Sequence, residues 1–305
     1  MEDRFYLLNI KHPYKWATDK SAAEYWLDDH RKAPIFYGDI TIDSILQGGY
    51  AKNRRGEQPA NFVNLLKVAK EEVFRPVMIT IDSGKVWIYT PKDGPHHCDG
   101  THRPDNGDVP KFFHIERLAK VRVAEAPLVL SSMRANRWLS SGTFVPLVGE
   151  QYEGNIEAAR FVANLGGRPI RRLDCLSSVE LETLVAKLFE ENGYFVPAYR
   201  GGFVDGFDLV VRPKGSASLG LADESTPLAI QVKLRVTDEK GVLAWLAGDR
   251  HRFLVSPQKE AFRHLAQMGK QVLDRRWLIG ALQKSPRTRE WLEESTHWIP
   301  HPLED

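Results

Sequence analysis

Gln231 and Lys233 stand two residues apart in LAIQVKLRV (228–236), where Leu228, Ile230, Val232 and Leu234 alternate with Ala229, Gln231, Lys233 and Arg235. A period of two predicts a β-strand with one apolar and one polar face. Upstream, FDLVV (207–211) puts Phe207, Leu209 and Val211 on one side and Asp208 on the other. Strands adjacent in sequence usually pair, which would gather Asp208, Gln231 and Lys233 on a common face. A carboxylate, an amide oxygen and an ammonium held on rigid elements suit metal-assisted phosphodiester cleavage. The carboxylate binds Mg²⁺, a hard cation that prefers oxygen, and the Gln231 oxygen or the Val232 backbone carbonyl offers a second ligand. Such an ion neutralises phosphate charge and acidifies its bound water. Lys233 then orients that water and stabilises developing negative charge. Mn²⁺ is expected to substitute. Asp205 is a rival ligand, although its place in GGFVDG equally explains it as a turn former. Asp208 is preferred because it alternates within the strand.

The elements that must position these groups follow from periodicity. Leu181, Leu184, Val185, Leu188 and Phe189 form an apolar stripe, so 178–192 is a helix. Ser177 with Glu180 spells a capping box at its start, and Gly193 follows its end. Strands are expected at 194–200, 207–211, 228–235 and 252–256, and helices at 237–247, 258–269 and along the tail. GGRPIRRLD (166–174) marks a boundary between domains at 1–166 and 174–305. The fold class is α/β (α+β): a C-terminal core with a mixed central sheet flanked by helices, and an N-terminal α+β domain. In that first domain the pattern gives a strand at 4–9, helices at 19–29, 59–72 and 154–165, a hairpin of 77–81 with 86–90, a loop over 91–110, and strand at 112–126.

A helix carrying Glu182, then Gly193-Tyr194, then G-G-x-x-D-G-x-D-L (201–209), then an apolar strand with Gln231-x-Lys233, resembles the Mrr-like branch of the PD-(D/E)XK nucleases over about residues 175–270. The resemblance implies a restriction endonuclease-like core and a Mg²⁺-dependent DNA endonuclease of restriction or defence type. It makes Asp208 the metal-binding aspartate, Lys233 the catalytic lysine and Glu182 an auxiliary acid. Gln231 takes the second acidic position, where the commoner pattern has Asp or Glu; a neutral amide holds metal more weakly, but the Gln form is similar to several Mrr-like members. Cutting both strands of double-stranded DNA needs two active sites, so a homodimer is expected. Alternatives remain open. A nuclease of the same core could act on RNA or branched DNA, and a decayed core could only bind nucleic acid or sense a nucleotide. Glu182 also lies at the edge of the apolar stripe, where a solvated or ion-paired Glu is ordinary.

The chain has 305 residues, a net charge of +2 and two cysteines. It lacks the strong positive charge of a non-specific nucleic-acid coat protein, so Arg171, Arg172, Arg250 and Arg252 are the local candidates for phosphate contact. No apolar run reaches the roughly 20 residues of a membrane span, and Cys98 and Cys175 do not suggest a disulfide framework, so a reducing cytoplasm is expected. HHCDGTH (96–102) has zinc-type ligands but no matching pair downstream, and no zinc site is expected there. Trp16, Trp26, Trp87, Trp138, Tyr6, Tyr14, Tyr25, Tyr37 and Tyr89 in the first half read chiefly as core. Their functional alternative is a stacking pocket for a modified base in a DNA-reading or sensor domain.

Overall fold

The computed structural model of the chain describes residues 1–10, 20–36, 41–49, 54–97, 111–135, 139, 143–167, 170–197, 206–215, 217–221, 226–258 and 265–299, the side chains of 54–56, 135 and 265–267 excepted. The chain divides into two compact units, Met1–Gly166 and Gly167–Asp305. Both mix helices with strands. No helix among the described residues is long and apolar enough to cross a membrane.

The first unit carries a six-stranded sheet in the order β2-β5-β4-β3-β1-β6. Its strands are β1 (Glu2–Leu8), β2 (Lys32–Ile35), β3 (Phe74–Asp82), β4 (Lys85–His97), β5 (Lys111–Arg122) and β6 (Phe144–Pro146). β1 and β3 run parallel; every other pair is antiparallel. Asp82 pairs with Lys85 across a two-residue turn in which Ser83 and Gly84 both have positive φ (45° and 74°). That backbone matches the twist of a hairpin, and only Gly adopts it without strain. The helices are α1 (Ile42–Leu46), α2 (Arg54–Val63), α3 (Leu65–Glu71), α4 (Leu128–Ser131) and α5 (Glu153–Val162). The single helix expected at 59–72 is two, broken at Asn64, whose amide donates to the Ala60 carbonyl at 3.0 Å. The 91–110 loop also needs correction: its first seven residues continue β4 opposite β5, through a bulge that tolerates Gly94 and Pro95.

Phe62 packs between Phe113 and Phe144, with centroids 4.6 and 5.4 Å away. Trp26, Trp87 and Tyr89 are fully buried. They are core residues and line no stacking surface, while Tyr6 stacks on Phe144. Trp16, Trp138, Tyr14 and Tyr37 lie outside the described residues.

The second unit is built on a five-stranded sheet in the order β11-β10-β9-β8-β7. Its strands are β7 (Tyr194–Phe195), β8 (Leu209–Pro213), β9 (Leu228–Val232), β10 (Arg252–Val255) and β11 (Val272–Leu273). β9, β10 and β11 run parallel, whereas β7, β8 and β9 are antiparallel. The helices are α6 (Ser178–Glu191), α7 (Glu239–Ala247), α8 (Arg275–Gln283) and α9 (Pro286–Ser295). The stripe of α6 is wholly buried with Leu209, Val211, Leu228 and Ile230, which joins helix and sheet in one core. The Ser177 hydroxyl accepts the Glu180 N–H at 3.1 Å and the Glu180 carboxylate accepts the Ser177 N–H at 2.7 Å, a complete capping box. Arg275 pairs with Asp174 at 2.6 Å and so fixes the segment before α6 to the start of α8. Three strand ends differ from the periodicity. β7 has two residues, β8 begins after Asp208, and β9 ends before Lys233.

Candidate functional site

The shortened strands have a physical cause. Asp208 donates its N–H to the Ile230 carbonyl at 2.9 Å. Its carboxylate Oδ2 accepts the Val232 N–H at 2.6 Å. A side chain has thus taken the donor that a longer β8 would have bonded through its backbone, and the pairing stops. Lys233 donates its own N–H in the other direction, to Val255 of β10 at 3.0 Å. The two polar residues therefore sit at one end of the β8–β9 pair rather than midway along a sheet face. The expectation that both lie inside strands is corrected, and their nearness is kept.

The Lys233 ammonium is 3.5 Å from Asp208 Oδ2. Charge-assisted bonds of this kind normally close to about 2.7–2.9 Å, so the contact is loose. The Lys233 side chain is 39% exposed against 18% for Asp208. A fixed carboxylate therefore faces a cation with freedom to reach a ligand.

Glu182 projects from the second turn of α6. Burial, and then the negative charge of Asp208, push its carboxyl above the usual range, while Lys233 acts in the opposite direction. Two carboxylates and one ammonium hence share one local field. The helix places Glu182 there because its neighbours Leu181, Leu184 and Val185 are anchored in the core.

Gln231 lies on β9, and its Oε1 is buried with no hydrogen-bond partner. An unpaired buried acceptor costs on the order of 1–3 kcal/mol, and a cation would satisfy it. Carboxylate and amide oxygens are also the donor types that Mg²⁺ takes. The residues present therefore fit the ion that the nuclease resemblance implies, with Asp208 and Gln231 as the groups to hold it. At Val232 it is the N–H, bonded to Asp208, that the structure ties to the site. Asp205 lies outside the described residues.

Two supports were not legible at sequence level. Gly206 has φ +98°, and a Cβ there would stand 2.8 Å from Nε1 of Trp245 on α7, so the chain entering Asp208 passes directly against an indole. Gln258 accepts the Val236 N–H at 2.9 Å through its side-chain oxygen, which braces the turn after Lys233. Neither contact has a spacing signature.

The four arginines differ. Arg172 donates to the Thr296 carbonyl and hydroxyl, both at 2.7 Å, just past the end of α9. Arg252 donates to the Trp245 carbonyl at 2.8 Å and lies over the Trp245 ring. Both hold the unit together. Arg171 and Arg250 are exposed. Comparison with protein-family models, with curated proteins and with solved structures found no match to this chain.

Proposed function

We propose that the second unit is a Mg²⁺-dependent nuclease centre of the Mrr-like PD-(D/E)XK kind, cutting double-stranded DNA in a restriction or defence setting in the cytoplasm. The observation that carries this reading is the convergence of Asp208, Glu182 and Lys233 at one strand end; Gln231, whose Oε1 is buried and unpartnered, is next in the chain to the Val232 that bonds Asp208. When bound, the ion would supply charge neutralisation and a more acidic water, with Mn²⁺ able to replace it. Asp208 stays fixed through the Val232 N–H. Lys233 swings from Asp208 toward a phosphate oxygen and stabilises the charge that builds on it. Glu182 holds a proton more readily than an ordinary glutamate, which suits its carboxylate to accept one from an attacking water.

On this reading residues 1–166 read or sense the DNA, and the exposed Arg171 and Arg250 are the candidates for phosphate contact. Two copies of the chain cut the two strands. The test is cleavage of plasmid DNA with and without Mg²⁺ by wild type and by Lys233→Ala. Wild type should cut only with metal and the variant should not cut. Equal cleavage by both would defeat the assignment, and metal-independent inertness of the wild type would favour a decayed core that only binds.

A further inference from the structure

We propose that Asp93, His96 and His114 form a binding site for one divalent transition-metal ion of the zinc type in the first unit. The inference is independent of the nuclease reading. It starts from register. Asp93 of β4 lies opposite His114 of β5, and His96 lies opposite Phe112. Three steps along β4 thus match two along β5. In a regular strand, residues three apart point to opposite faces; the extra residue of the bulge turns His96 back to the Asp93 face. Phe112 and His114, two apart on β5, already share theirs.

The bulge depends on Gly94, which has φ +116°. A Cβ there would come within 3.0 Å of the Phe112 carbonyl and of the Phe113 ring. The result is a tight donor set. His96 Nε2 lies 3.0 Å and His114 Nδ1 2.6 Å from the same Asp93 oxygen. One ligand atom from each residue falls within 4.8 Å of the others. Ligand atoms around a tetrahedral ion bound at about 2.0–2.1 Å are separated by roughly 3.3 Å, so to admit one the His114–Asp93 pair must open by about 0.7 Å and the His96–Asp93 pair by about 0.3 Å. Phe112 stands 5.5 Å from the His96 ring and 5.2 Å from the His114 ring, centroid to centroid. That nearly buried ring limits the rotation of both imidazoles.

Two imidazole nitrogens and one carboxylate oxygen are the donors of Zn²⁺ and its neighbours, while Mg²⁺ takes oxygen. Three protein ligands leave a tetrahedral ion one position for water or a solute. The side chains are 43–61% exposed, so an ion can enter from solvent.

The test uses the full chain, Zn²⁺ and a chromophoric chelator in competition. Wild type and Asp208→Asn should each bind one equivalent, which separates this site from the nuclease centre. His114→Ala and His96→Ala should each lose at least about tenfold in affinity, since even outer-shell changes at metal sites cost 10- to 100-fold. Zinc binding by both variants equal to wild type, or none by wild type, overturns the proposal and leaves the triad as a hydrogen-bonded fastening of the bulge. If the histidine variants do not fold, Asp93→Asn, which keeps the side-chain shape, decides by the same criterion.

Discussion

The Asp208 carboxylate accepts the Val232 N–H at 2.6 Å, so one residue both ends a strand pair and supplies the negative charge of the candidate site. Asp208→Asn separates these roles. The amide oxygen can still accept from Val232, and the fold should hold. Metal-dependent cleavage should fall on the order of a hundredfold or more, as when one charge-stabilising group is removed. Asp208→Ala should in addition lose about 1–3 kcal/mol of stability, because the Val232 N–H is left unpaired. Denaturant unfolding of both variants beside a cleavage assay checks the split; equal destabilisation would show that the carboxylate acts only on the fold.

Lys233 is the half-exposed partner of that carboxylate. Lys233→Ala should retain DNA binding within a few-fold in a gel-shift measurement without metal. Its cleavage rate should drop on the order of a hundredfold. Parallel loss of binding and cleavage would move Lys233 from the chemistry to docking.

Glu182 gives a prediction in pH. Its carboxyl is pushed up first by burial and then by Asp208. A raised folded-state value means that the native chain holds the proton more tightly than the unfolded chain. The associated stability is present below the unfolded value, about pH 4.3, and is lost as pH rises through the folded value. Glu182→Gln mimics the protonated form. Its thermal midpoint should match wild type near pH 4 and exceed it increasingly toward neutrality. A constant difference across that range would place the effect in packing instead of ionisation.

Gln231 permits a two-way substitution. Gln231→Leu removes a buried acceptor that has no partner and should be neutral or stabilising, yet it should weaken Mg²⁺-dependent cleavage. Gln231→Glu restores the charge that the commoner nuclease pattern carries and should lower the Mg²⁺ concentration needed for half-maximal rate. Unchanged metal dependence in both would remove Gln231 from the ligand set.

Ser177→Ala should cost about 1 kcal/mol by loss of the helix cap, read as a lower denaturant midpoint at unchanged slope. Ser177 and Glu180 were legible because a capping box is local: its partners are three residues apart, and the stripe behind them repeats at helical spacing. The Gln231–Lys233 pair was legible for the same reason. The exact strand ends were not, since Asp208 stops β8 by bonding a residue on another strand, and alternation cannot show which partner takes an N–H. The far half of β4, past residue 90, was hidden in the same way. Gly94 and Pro95 punctuate the chain like a loop, but Asp93 and His96 have β5 beside them, and a bulge absorbs the irregularity. The metal-type ligands of HHCDGTH were sought along the chain, whereas His96 meets His114 from across the hairpin, both bonded to one Asp93 oxygen. The buried aromatics show the limit from the other side: composition could not tell Trp87 in a core from Trp87 in a pocket.

The pinch between Gly206 and the Trp245 indole sets a constraint of its own. Any side chain at 206 collides with the ring, so the approach angle of the aspartate depends on a position that has no chemistry to offer. In a saturation-mutagenesis survey that codon should tolerate change as poorly as the one for Asp208, and a smaller residue at 245 should relieve the collision but not the strain that φ +98° imposes on any other residue. On the proposed reading, one methyl group introduced beside the candidate site would be enough to disable it.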